Sequence, residues 1–212
     1  MELTKQQRAE KTYIVLDAIS PKAISFLDAN EPFQLLISVI MSAQTTDRQV
    51  NEVTKTLFSL YKDAFSLAEA DFETVVEIIR STGYYNVKAK NIIKTAQVIR
   101  DEFNGKVPLT MQELIKLPGV GRKSASVILG QIGNLPAIIV DTHFSRVVRR
   151  VGLTEEKDPT KIEYAIASLL PKERHYRYSM IINRHARIIC HARKPLCYEC
   201  PIAPYCLSFP LV

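Results

Sequence analysis

Four cysteines, Cys190, Cys197, Cys200 and Cys206, fall in one 17-residue window spaced C-x6-C-x2-C-x5-C, and the chain has no others. Cysteines this close in sequence form a ligand set rather than a disulfide framework spread through a fold. Four thiolates hold either a tetrahedral zinc or a [4Fe–4S] cluster, and the spacing alone leaves both open. Upstream lies a glycine hairpin, Leu117-Pro-Gly-Val-Gly-Arg-Lys123. Gly119 and Gly121 allow a tight turn with positive φ and keep side chains off the backbone. The N–H groups of Gly119, Val120, Gly121 and Arg122 are then expected to converge on one phosphate at a helix N-terminus. Lys123 falls in the first turn of that helix, where the dipole and the adjacent Arg122 disfavour the ammonium form. An amine so placed is either a nucleophile that attacks a sugar carbon and forms a Schiff base, or an ordinary phosphate contact. Asp141 stands at a second helix start, where the dipole favours the carboxylate. A carboxylate there stabilises positive charge developing on a sugar as a base departs, or acts only as a helix cap.

The elements that must position these groups are helices. Residues 33–41, Phe-Gln-Leu-Leu-Ile-Ser-Val-Ile-Met, are apolar almost all round, as a helix buried in a bundle requires. Thr46-x-x-Gln49 resembles a capping box, which leaves Ser42 to Thr45 in the turn before it, and Thr110-x-x-Glu113 repeats the signal ahead of the hairpin. The hairpin runs into a second helix through Ser124-Ala-Ser-Val-Ile-Leu129, the pattern of a helix-hairpin-helix motif that grips DNA backbone without reading sequence. Asn104-Gly105 and Gly133-Asn-Leu-Pro136 are breaks. Ala137 to Val140 reads as extended and buried, and Asp141 caps a helix through Arg150. The expectation is an all-α protein in which a second unit begins near residue 136.

The chain has 212 residues, room for one large domain or two small ones. Its net charge of +6 is uneven: residues 141–212 carry 12 Lys/Arg against 7 Asp/Glu, while residues 1–140 are nearly balanced. A basic excess beside the cysteines favours a polyanionic partner. Arg193 and Lys194 sit between the first two cysteines, in a loop that a bound metal or cluster would stiffen so that it presents cations to phosphates. Tyr198, Pro201, Pro204 and Tyr205 are expected to shield that group from water. No apolar run is long enough to span a membrane, and the polar N-terminus lacks a signal stretch, so a cytoplasmic, reducing location is expected.

Taken together, these residues resemble the endonuclease III family of iron–sulfur DNA glycosylases and AP lyases. The resemblance runs through Pro32-Phe-Gln-Leu-Leu-Ile, Ser42-Ala-Gln-Thr-Thr-Asp47, Tyr85-Asn-Val-Lys-Ala89, the hairpin, Val140-Asp-Thr-His143 and His185-Ala-Arg-Ile-Ile-Cys190, and ends in the cysteine spacing. It implies a two-domain helix-hairpin-helix glycosylase fold with a C-terminal iron–sulfur loop. A six-helix domain of residues 25–135 would be inserted into a cluster domain of 1–24 plus 136–212, with Lys123 and Asp141 facing an interdomain cleft. It also implies a [4Fe–4S] cluster on the four cysteines, and monomeric action on damaged double-stranded DNA from which an oxidised pyrimidine is flipped. Lys123 would then attack C1′ with Asp141 assisting, and β-elimination would nick the strand. Gln44 matches the residue that fills the space left by the flipped nucleotide. Tyr84 stands where the family commonly has a wedging leucine, a departure that bears on lesion and opposite-base preference. Ala186 replaces a usual glycine, and Asp47 and His143 lie in motifs that line the cleft. Two rivals explain less. A monofunctional adenine glycosylase would carry a glutamate where this chain has Val39. A non-catalytic DNA-binding module with structural zinc gives no reason for Lys123 and Asp141 to occur together.

Overall fold

The structure is a computed structural model that describes residues 3–21, 27–29 and 31–210. Among these residues there are helices and turns but no strand. The chain divides into two compact units, Ser25–Gly133 and Met1–Ile24 with Asn134–Val212. The break at residues 24 and 25 lies outside the described residues.

The inserted unit holds α2 (Pro32–Met41), α3 (Asp47–Leu60), α4 (Ala64–Ala68), α5 (Phe72–Ile79), α6 (Tyr85–Phe103), α7 (Met111–Leu114) and α8 (Arg122–Gln131), after α1 (Lys5–Ala18) of the other unit. That makes seven α-helices and one 3-10 turn, Arg80–Thr82, among the described residues of this unit. Helix α2 starts on Pro32, whose missing N–H is harmless at that position, and is buried from Leu35 to Met41. It packs against both α6 and α8, so the hairpin is anchored to the most apolar segment of the unit. Thr46 caps α3 by accepting from the Gln49 N–H at 3.3 Å, but the reciprocal half of the expected capping box is absent: the Gln49 amide donates instead to Ser81 Oγ at 2.7 Å. Helix α6 is stopped by Asn104 and Gly105, both in the left-handed region.

The second unit comprises α1, α9 (Thr142–Val151), α10 (Pro159–Ala167), α11 (His175–Ile188) and the cysteine loop. Helix α9 buries Phe144, Val147, Val148 and Val151, an i, i+3, i+4, i+7 stripe. These side chains share a core with Ala9 and Leu16 of α1 and Tyr178, Ile181 and Ile182 of α11. Tyr178 is fully buried, meets Phe144 edge-on and bonds the Thr12 hydroxyl at 3.0 Å, so its one polar atom is satisfied. Residues 137–139 are buried without forming a strand, and the Ile139 N–H donates to Ser179 Oγ.

Candidate functional site

The hairpin of the inserted unit is fixed from below. The Pro118 carbonyl accepts from Thr95 Oγ1 of α6 at 2.9 Å, and the Val120 N–H closes the turn onto the Leu117 carbonyl at 3.1 Å. The tight turn that the two glycines allow takes positive φ at only one of them. Gly119 is left-handed at φ +77°, and a Cβ there would press on Asn91 and Ile40. Gly121 is extended at φ −91° because it is the N-cap of α8, and nothing lies within 4 Å of where its Cβ would be. Val120 also departs from its expected role: its side chain is buried and its N–H is used inside the turn, so it supports the hairpin rather than joining a phosphate-binding set. Helix α8 therefore begins without a side-chain cap, facing open space, with Arg122 half-buried and Lys123 exposed in its first turn. An uncapped helix start carries backbone donors that a ligand can satisfy.

Two turns of the same unit carry Gln44 and Tyr84. Both residues are exposed and both are left-handed, at φ +53° and +50°. Non-glycine residues seldom adopt this conformation. Asp47 opens α3 just after the first turn.

In the other unit, Asp141 is the N-cap of α9. Its Oδ1 accepts from the Phe144 N–H at 2.7 Å and its Oδ2 from Asn183 Nδ2 at 2.6 Å. Asn183 is itself oriented by Arg187, whose Nε donates to its Oδ1 at 2.9 Å. The carboxylate is half-buried and held at both oxygens. Asn183 was not legible in the sequence because the contact spans forty-two positions. His143, in the first turn of α9, lies 3.3 Å from Arg146 through Nδ1.

All four cysteines line one cavity, together with Val147, Val151, Ile189, Leu196, Ile202 and Phe209. Burial first, then the nearby sulfurs, pushes the Cys200 thiol up to about 11, and burial raises Cys206 as well. Cys190, Cys197, Cys200 and Cys206 would hold an iron–sulfur cluster as thiolates, which the positive charge of bound iron would favour. Four sulfurs around one apolar cavity fit the four-cysteine ligand set of a [4Fe–4S] cluster. His185 Nε2 lies 3.6 Å from Cys200 Sγ, and burial pushes its pKa down to about 4.

The aromatic shield is misassigned by the sequence reading. Tyr198 is 86% exposed and stacks edge-on against Phe209, while Tyr205 packs against the unit core and under Lys11. The cavity wall is made by Leu196, Ile202 and Phe209 instead. Arginines of α9 pin the loop: Arg146 donates to the carbonyls of Ala186 and Cys190, and Arg150 to those of His191 and Ala192 and to Cys190 Sγ. Arg193 and Lys194 project from that pinned loop, exposed, with Lys194 left-handed. The i, i+4 spacing of Arg146 and Arg150 on the polar face of α9 was the available signal for them. Ala186 is buried without distortion and supplies a carbonyl to Arg146.

Residues 37–172 match the model of the HhH-GPD superfamily of base excision DNA repair proteins, and residues 190–206 match the iron-sulfur binding domain of endonuclease III. This defines the class: a helix-hairpin-helix repair enzyme carrying an iron–sulfur loop. The chain is 45% identical over 206 residues to endonuclease III of Synechocystis sp., covering 97% of this chain and 94% of that one. Among solved structures it is similar to a non-covalent endonuclease III–DNA complex and to a trapped endonuclease III–DNA covalent intermediate. In both cases the TM-score is 0.90 with 38% identity; the coverage of this chain is 97%, and that of the two matched chains 96% and 97%. The chain belongs to the endonuclease III family. It is a base-excision repair DNA glycosylase and AP lyase that binds DNA and carries a [4Fe–4S] cluster.

Proposed function

We propose that Lys123 is the nucleophile and Asp141 the charge-stabilising carboxylate, acting as a monomer on an oxidised pyrimidine in damaged duplex DNA. The observation that carries this reading is the exposed lysine in the first turn of an uncapped helix, directly after a hairpin whose last glycine leaves open space. The α8 start receives a backbone phosphate, which brings the sugar to Lys123. The neutral amine attacks C1′ as the glycosidic bond breaks, and the base leaves with the bonding pair and takes up a proton. Asp141, held by Phe144 and Asn183, offsets the positive charge that develops at the anomeric carbon. Opening of the sugar ring gives an iminium between Nζ and C1′. Loss of a C2′ proton then expels the 3′-phosphate, which nicks the strand.

Gln44 fills the position vacated by the flipped nucleotide and Tyr84 wedges or stacks beside it. Gly119, Gly121 and Arg122 shape the phosphate site, and His143 lines the reacting side of α9. Arg193 and Lys194 add phosphate contacts from the pinned loop. Cys190, Cys197, Cys200 and Cys206 would hold the cluster, whose contribution when bound is to stiffen that loop. Lys123→Ala is expected to lower nicking of a thymine glycol duplex by at least about 10³-fold while binding in a gel shift persists. Nicking that survives the substitution removes Lys123 from the reaction.

A further inference from the structure

Lys88 is the one buried lysine among the described residues, 4% exposed, in the first turn of α6. Its ammonium donates to Thr45 Oγ1 at 2.5 Å and to the Thr82 carbonyl at 2.9 Å. The Thr45 hydroxyl donates to that same carbonyl at 2.6 Å, which closes a triangle. Neither partner is charged. Burial alone lowers the Lys88 pKa, as expected for an ammonium desolvated among neutral oxygens.

The triangle joins two segments that share a peculiarity. Thr45 directly follows Gln44, and Thr82 precedes Gly83 and Tyr84. All three neighbours, Gln44, Gly83 and Tyr84, have positive φ. Left-handed side-chain-bearing residues persist where the surroundings over-determine them. Here the Lys88 side chain fixes both segments while its N–H accepts no freedom either, donating to the Tyr84 carbonyl at 3.0 Å. A second, outer link runs from Gln49 Nε2 to Ser81 Oγ.

We propose that Lys88 is a positioning residue that locks the Gln44 and Tyr84 turns into one two-pronged element and so sets how readily a base is taken out of a duplex. The inference rests on the reading that Gln44 and Tyr84 meet DNA. It makes the relative height of the two prongs a property of one buried cation rather than of either turn.

The test uses the full chain with its cluster, as Lys88→Met, which keeps the stem and removes the ammonium, and as Thr45→Val, which removes the hydroxyl. Single-turnover rates are compared on a thymine glycol duplex and on an abasic site in a single strand, where no base has to be extracted. The ratio of duplex to single-strand rate is expected to fall about tenfold in both variants. Combining Lys88→Met with Tyr84→Ala should lower the ratio no further than Tyr84→Ala alone. Equal losses on both substrates, or no change in the ratio while Gln44→Ala and Tyr84→Ala lower it, overturn the proposal and leave the DNA contacts standing. If Gln44→Ala and Tyr84→Ala leave the ratio unchanged, the DNA-contact reading fails and takes this inference with it.

Discussion

Helices α8 and α9 start in opposite ways. Gly121 brings no side chain to the start of α8, and the exposed Lys123 follows within its first turn. Helix α9 starts on Asp141, with one oxygen on its own backbone and the other on Asn183. The first start has no side-chain acceptor of its own, which leaves its donors to water or a ligand. The second is complete in itself and holds a charge still. A nucleophile has to approach and bond to its target, whereas a carboxylate that stabilises developing charge serves best when it does not move. Under the proposed mechanism, the same physical effect, a helix N-terminus rich in donors, serves a nucleophile at α8 and a fixed carboxylate at α9 through the choice of one cap residue.

Substitutions that blur the contrast should separate the two roles. Asp141→Asn removes the charge and sets an amide N–H against Asn183 Nδ2, where a carboxylate oxygen had accepted, so it should cost about 1–2 kcal/mol of stability. Base removal should fall by about 100-fold, and cleavage of a preformed abasic site by much less. Equal losses on the two substrates would mean that Asp141 is only structural. Gly121→Asp makes α8 start like α9, and there is room for the side chain. The new cap should stabilise the fold by only about a few tenths of a kcal/mol, whereas duplex affinity at low salt should drop about tenfold as the carboxylate meets phosphate. Denaturant unfolding and a DNA titration read the two effects, and unchanged affinity would show that α8 does not receive phosphate. Asn183→Ala strips Asp141 of one donor and Arg187 of its acceptor. It should cost about 1–2 kcal/mol of stability and slow base removal less than Asp141→Asn does; a larger loss than that of Asp141→Asn would move the chemistry towards Asn183.

What was legible in the sequence follows the same division. Local signals survived: Asp141 ahead of an apolar-periodic run had to be a cap, the 33–41 run had to be buried, and four clustered cysteines had to share a site. Direction and long-range pairing did not. Both glycines of the hairpin looked alike, yet only Gly119 needs positive φ, since Gly121 takes the extended conformation of an N-cap. Tyr198 looked like a shield, but nothing in its spacing says which way the ring points, and it points outward. Asn183 carried no local mark, and the motif around Lys88 did not show its burial, because the partners of both are brought to them only by the fold.

The most direct test is borohydride trapping on a duplex with a single thymine glycol, with wild type and Lys123→Ala side by side. The proposed mechanism requires an iminium between Lys123 and C1′, so reduction should give a covalent protein–DNA adduct that disappears in the variant. An adduct that persists in Lys123→Ala, or none in wild type on either this duplex or one with an abasic site, would contradict it.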